Sequence, residues 1–342
     1  MCNKKLIILF ICLIFNKMNG QDYKFSQFYN SPLTLNPALT GKINSLYRVV
    51  ANYRMQYNPV ITPSPYMTMS ASGDVGLLRD KLNEDILGVG LVFVTDNQAS
   101  GLLKSNYAYI SAAYHKGIGY EKKHYISAGF QFGIMQRKLD VNNLVFNSQY
   151  QQFVGFDKGI PSGENFERAS FVKPNLNIGL FWSSSFTDNM SAYAGMSVHN
   201  TLKPTDNFLA TDSERDKRIA AHGGITYIVG KKIIINPNMI FQTQAKAIDF
   251  IAGTNVNINL SGKRNPFETN AFAGIWYDIN KAIIATAGVQ HKGFQVGVSY
   301  DATMGGINDA VNSFGAIELS LMYVSAPLSK DKKYPLMSCP KF

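Results

Sequence analysis

In AIDFIAGTNVNINL the even positions read Ile248, Phe250, Ala252, Thr254, Val256, Ile258 and Leu260. The odd ones read Asp249, Gly253, Asn255, Asn257 and Asn259, with Ile251 out of step. HYISAGFQFGI repeats the pattern, setting Ile126, Ala128, Phe130, Phe132 and Ile134 against Ser127, Gly129, Gln131 and Gly133. LNIGLFW (Leu176, Ile178, Leu180, Trp182) and MSAYAGMSV (Met190, Ala192, Ala194, Met196, Val198) do the same. A two-residue repeat is the signature of a β-strand with one apolar and one polar face. Beyond the first twenty residues no apolar run is long enough for a helix to cross a bilayer. VGLVFV near Val89 and KIIIN near Ile234 last only a strand's length.

What occupies the polar face separates two β architectures. A soluble sandwich turns that face to water and commonly carries Lys, Glu and Thr there. Here it carries Gly, Ser, Asn, Gln and Tyr, and charge is confined mostly to the connections. Low charge, many tyrosines and alternating segments of roughly ten residues fit an all-β transmembrane antiparallel barrel with its apolar face in lipid. A large soluble all-β protein of the cell envelope is the competing reading. Strands are expected near 45–56, 66–74, 86–96, 102–115, 124–138, 172–183, 190–199, 218–229, 232–242, 247–261, 269–277, 282–291, 293–300 and 313–324. That is about fourteen, an even number that returns both chain ends to the periplasm. The long connections Leu139–Phe171, Asn200–Asp216 and Asp301–Asn312 all follow odd-numbered strands, whereas SFTDN, GK and HKG follow even ones. Outer-membrane barrels show this parity, with long outer loops and short periplasmic turns. Pro237 has no amide hydrogen to give a ladder, so it should sit at a bulge or an interruption.

The start of the chain reads as an export signal. Lys4 and Lys5 precede the apolar LIILFICLIF, and a polar exit follows at Lys17-Met18-Asn19-Gly20. Cleavage is expected near Gly20–Gln21; Cys12 lies inside the apolar core, which weakens a lipoprotein reading. The chain then divides into a leader (1–20), a periplasmic or lumen-plugging segment (21–44), a barrel (45–324) and a periplasmic tail (325–342). Cys2 and Cys12 would leave with the leader, so Cys339 has no internal disulfide partner. The formal charge of +10 loses three lysines with the leader, and the remaining basic residues form no stripe. That scatter argues against nucleic acid and for contact with anionic outer-membrane lipid or a polar protein partner.

Catalytic chemistry finds little support, and no cofactor or metal is expected. His115, His124, His199, His222 and His291 are dispersed without ligand spacing. Gly88 and Gly90 form a G-x-G inside a strand that opens no helix, so they make no phosphate loop. DATMGGIND, from Asp301, lacks the oxygen-ligand spacing of a calcium loop. Ser111 or Ser197 beside a histidine lacks any nucleophile motif. Tyr107, Tyr109, Tyr114, Trp182, Trp276 and Tyr277 suit an interface girdle or strand packing.

FSQFYNSPLTLNPALTG, Phe25 to Gly41, breaks the alternation. It holds too much Pro, Asn, Ser and Thr for a helix, and Pro32 and Pro37 exclude a central strand. Its aromatic and leucine side chains nonetheless need burial. An ordered segment packed against the periplasmic end of the barrel is expected, with Asn36-Pro37 as a turn. Arg48 and Arg54 share a face of the first strand, the lumenal one, where they can donate to its carbonyls. Such a segment either completes folding or docks other components.

FSQFYNSPLTLNPALTG followed by YRVVANYRMQY resembles the start of the PorP/SprF family of outer-membrane proteins from the type IX secretion and gliding machinery of Bacteroidetes. The matching positions are Phe25, Ser26, Gln27, Tyr29, Pro32, Leu33, Asn36, Pro37, Ala38 and Gly41, then Arg48, Asn52, Tyr53, Arg54 and Gln56. Tyr57 stands where the family usually has tryptophan, and the terminal CPKF also resembles the family's end. The resemblance implies a non-catalytic barrel that exports or anchors large adhesins carrying a C-terminal sorting domain. It also implies contact with periplasmic ring or peptidoglycan-associated components of the same apparatus. In the long connection, Phe146, Tyr150, Phe153, Phe156 and Phe166 offer aromatic anchors for the cargo domain, or fold into the barrel mouth as a plug. The alternative is an outer-membrane diffusion channel for a small or hydrophobic solute, with Asn255, Asn257 and Asn259 lining a polar lumen.

Overall fold

The computed structural model describes residues 22–58, 65–78, 85–98, 101–119, 123–166, 168–206, 208, 213–230, 232–260, 269–304, 311 and 313–326. The leader, the CPKF terminus with Cys339, and most of DATMGGIND lie outside the described residues. Fourteen strands form a closed antiparallel barrel. They are β1 (Tyr47–Gln56), β2 (Tyr66–Leu77), β3 (Ile86–Gln98), β4 (Leu103–Ile118), β5 (His124–Leu139), β6 (Ser170–Thr187) and β7 (Met190–His199). The second half comprises β8 (Arg218–Val229), β9 (Ile233–Gln244), β10 (Ala247–Asn259), β11 (Asn270–Asp278), β12 (Ala282–His291), β13 (Phe294–Thr303) and β14 (Phe314–Val324). Each strand pairs with its sequence neighbours, and β1 closes on β14 from Arg48 opposite Val324 to Gln56 opposite Ala316. No helix among the described residues is long and apolar enough to cross a membrane; the strands do the crossing.

The expected strands are all present, with ends that differ by a few residues. β6 is the largest departure, running over 170–187 rather than 172–183 because its ladder with β5 spans Lys138 opposite Ser170 to His124 opposite Ser184, and its turn into β7 pairs Thr187 with Met190. Pro237 keeps its place opposite Thr254 of β10. On its other side, pairing with β8 stops at Gly224 opposite Asn238 and resumes at Tyr227 opposite Ile235. The ladder is thus interrupted where proline has no N–H to offer.

The alternation sorts side chains between lipid and lumen. Ile110, Phe130, Phe132, Leu180 and Ile275 point outward and are exposed. Ser111, Ser127, Gln131, Asn177 and Asn255 point inward and are buried. An apolar exterior around a polar interior reverses the rule for water-soluble proteins and suits a bilayer.

Loops differ between the two ends. One end carries the 140–169 connection, with a ribbon pairing Tyr150 with Phe156 and Gln151 with Gly155. It also carries the 200–217 connection, with a ribbon pairing Thr205 with Glu214. The tight turns at 245–246 and 279–281 also lie at this end, so not every connection there is long. At the opposite end β1 begins and β14 finishes.

Candidate functional site

The lumen is filled by the chain's own N-terminal segment. Residues 22–45 thread it from the long-loop end to the end where β1 begins, rather than packing across that second end alone. Their polar partners are spread along the whole barrel, which explains the difference from the sequence expectation. Asp22 bonds Asn200 (2.6 Å) and pairs with Arg215, both at the long-loop mouth. Lys24 lies 2.8 Å from Asp278, also near that mouth. Midway, Asn36 Nδ2 donates to the Leu180 carbonyl (2.9 Å) and lies 3.1 Å from His222 Nε2. Near the far end, Gly41 donates its N–H to Asp74 (2.7 Å).

Short irregular turns let the segment fit. Phe28–Asn30 and Pro37–Leu39 are 3₁₀ turns, and Pro32–Leu35 is a single α turn with proline at its first position. Asn36 caps the last turn by accepting the Ala38 N–H at 2.9 Å, so the expected Asn-Pro turn is a capped helical one. Gly41 adopts φ +71°, a left-handed conformation that glycine takes without strain.

Buried charges clamp the segment at two levels. At the upper level, the N–H groups of Ser26 and Gln27 donate to the Glu318 carboxylate at 2.7 and 2.9 Å. Arg54 reaches Glu318 at 3.2 Å and Asp301 at 2.8 Å, while Ser26 Oγ donates to Asp301 at 2.6 Å. Gln27 Oε1 accepts from Asn30 and Ser320, both at 2.9 Å. At the lower level, Arg48 binds Asp74 through both Nε (3.0 Å) and Nη2 (2.8 Å) and donates to the Leu39 carbonyl at 3.2 Å. Arg48 therefore meets a carbonyl of the segment, as expected from the sequence. Arg54 instead meets carboxylates and a serine. Arg218 adds bonds to the carbonyls of Tyr23 (2.8 Å) and Thr34 (3.3 Å).

Apolar packing divides into two patches. Phe28 and Tyr29 meet Trp276, with Tyr29 stacked at 4.9 Å, and Ile251 belongs to the same cluster. Tyr23, Phe25 and Leu33 pack on Val92, Tyr107, Tyr109 and Met135. Trp276, Tyr107 and Tyr109 thus face the segment rather than the membrane interface; Tyr114 and Tyr277 do point outward and are exposed.

Glycines on the inner wall make room. A Cβ at Gly179 would collide with the Asn36 side chain, and one at Gly88 with the Thr40 carbonyl. The G-x-G of β3 is a channel for backbone, with Gly90 lying under Leu33 and Asp74. The lumenal histidines and serines are used in the same way. His115 lies 2.7 Å from the Thr40 carbonyl and 2.7 Å from Ser127. Ser197 and His199 are 3.2 Å apart, and Ser197 donates to the Leu35 carbonyl at 2.8 Å. No group of three metal-ligating side chains occurs among the described residues.

The structure gathers Phe25, Gln27, Tyr29, Pro32, Asn36, Pro37, Gly41, Arg48 and Arg54 in or around the lumen. Tyr53 is separate: it points outward, its hydroxyl 3.5 Å from Met67 Sδ, because odd positions of β1 face away from the lumen. The second group of sequence candidates lies in the 140–169 connection, between β5 and β6. Phe146 and Phe166 pack on each other at 5.9 Å, and Tyr150 packs edge-on against Phe156 at 5.3 Å. Phe153 at the ribbon tip is 96% exposed with φ +72°, and Val154 beside it is 72% exposed. In the 200–217 connection, Phe208 packs on Phe171 at 4.9 Å and Asp206 pairs with Arg137.

Residues 17–323 match the family described as type IX secretion system membrane protein PorP/SprF. The chain belongs to the PorP/SprF family. It is thus a membrane component of a secretion system, and a closed barrel with an apolar exterior is the architecture of outer-membrane proteins. Similar solved barrels include the CymD monoaromatic hydrocarbon channel, at 11% identity and TM-score 0.52, covering 87% of this chain and 92% of that one. The Pseudomonas putida toluene transporter TodX aligns at 10% identity and TM-score 0.51, covering 89% and 95%. A Pseudomonas aeruginosa FadL homologue aligns at 10% identity and TM-score 0.50, covering 85% and 93%. At such identities the likeness is one of fold. No curated protein matches the chain.

Proposed function

We propose that this PorP/SprF protein is a plugged, non-catalytic barrel that holds secreted adhesins at the cell surface for the type IX apparatus. The observation that carries this reading is the lumen, occupied along its length by residues 22–45 and clamped through Arg48 and Arg54. A barrel so filled offers its ends and loops to partners rather than a conduit to solutes. The long-loop end faces outward, where Phe153 and Val154 engage the C-terminal domain of the cargo. The opposite end, where β1 starts, faces the periplasmic ring or peptidoglycan-associated components. The diffusion-channel alternative requires the segment to leave or shift.

Affinity capture of the tagged barrel from native envelopes, followed by mass spectrometry, tests the proposal. Recovery of a C-terminal fragment from a large surface protein is the expected result; its absence, with adhesin display unaffected by loss of the barrel, would sink it. Planar-bilayer recordings address the alternative, since steady solute-selective conductance by the intact chain would favour a channel.

A further inference from the structure

Two lysines on the outer wall stand opposite each other without a counter-charge. Lys104 of β4 and Lys138 of β5 are cross-strand partners, both exposed, at the long-loop ends of their strands. Neither is ion-paired among the described residues. Like charges in that position repel unless an anion lies between them. One row nearer the middle of the barrel, Thr95, Asn106 and Gln136 also point outward. Thr95 bonds Asn106, and Asn106 Nδ2 donates to Gln136 Oε1 at 3.1 Å. Amide side chains on a lipid-facing wall are unfavourable without polar partners. Alongside them runs a groove of about 600 Å³, bordered by Ala51, Ala71, Ala108, Phe93 and Ile134. That volume falls within the roughly 300–1,000 Å³ of ordinary small-ligand sites.

Along the barrel axis the order is therefore cationic, amide, apolar. We propose that this strip of the outer wall binds a phosphorylated glycolipid of the lipid A class. Its phosphate lies between Lys104 and Lys138, its amide and hydroxyl groups meet Thr95, Asn106 and Gln136, and an acyl chain fills the groove. A diacyl phospholipid offers ester acceptors and the hydroxyls or ammonium of its head group, but no amide. An acylated amino sugar offers both amide N–H donors and carbonyl acceptors, which suits carboxamide side chains with lone pairs and N–H groups to spare. The choice of an outer-leaflet lipid rests on the outward orientation of the long loops proposed above.

Native mass spectrometry of the full chain in detergent, titrated with bisphosphorylated lipid A, dephosphorylated lipid A and phosphatidylglycerol, tests the site. Bisphosphorylated lipid A should be retained best, and Lys104→Glu/Lys138→Glu should weaken it about tenfold or more. Ala71→Trp, which fills the groove from a different strand, should weaken it independently. Equal retention by wild type and both variants, or equal binding of phosphatidylglycerol, overturns the proposal. Labelling of Ser148→Cys on intact cells is read alongside. Unlabelled cells overturn the orientation and the lipid assignment together, whereas labelled cells with unaltered lipid retention overturn the lipid site alone.

Discussion

Arg54 shows how much of the lumen rests on single side chains. It stands between two carboxylates, Glu318 and Asp301, and all three side chains are buried. Arg54→Ala strands both, so stability should fall by about 3–5 kcal/mol. The measurement is a lower urea midpoint for the folded barrel on semi-native gels. Arg54→Lys keeps the charge but loses the planar fork, and a smaller drop is expected. Gly179→Leu acts differently, since its side chain would occupy the space of Asn36 without touching the β5 and β7 ladders. It should loosen the segment while leaving the barrel folded, detected as new conductance in planar bilayers. The common face of Arg48 and Arg54 was legible from their even spacing alone. Ile251 and Trp276 were not, because an apolar side chain on a polar face is explained only by the Phe28 and Tyr29 rings that cover it.

Among the elements, the strands were legible because a two-residue repeat is local. Their number, order and approximate ends follow from it, and Pro237 marked its own gap. The path of residues 22–45 was not legible, because their bonds to the barrel wall reach from 9 to 293 positions away in sequence. The aromatic and leucine side chains of Phe25–Gly41 pointed to a buried segment or plug, but not to its course through the lumen. Removing residues 22–44 leaves every strand its neighbours, including the β1–β14 seam. The truncated barrel should therefore assemble at reduced stability and pass ions steadily, whereas the intact chain stays closed. The ribbon at 150–156 makes a separate prediction. It is braced by Gln149 Nε2 on the Ile160 carbonyl (2.8 Å) and Ser148 on the Ser162 carbonyl (2.6 Å), so its tip is presented rather than collapsed. Phe153→Asp/Val154→Asp should leave folding unchanged and, if the tip is an interface anchor, cost about 2 kcal/mol or more of cargo affinity. Surface adhesin measured by antibody on intact cells would fall accordingly; unchanged display would remove the ribbon from the cargo site.

For the molecule as a whole, the filled lumen reconciles two facts. Its wall is shared with hydrocarbon channels, while its family belongs to a secretion system. A barrel wall is a frame, and what it does depends on what stands inside it and on its rims. The threaded segment also dictates an order of assembly. It is continuous with β1 through residues 45–46, at the end of the barrel opposite Asp22. Either the seam between β1 and β14 zips shut around a segment already in position, or Asp22 is pushed through the finished ring as a leading tip. Both routes demand a slender front. A small folded domain spliced ahead of Asp22 should therefore stall maturation, while the same domain attached after Ala326 should not.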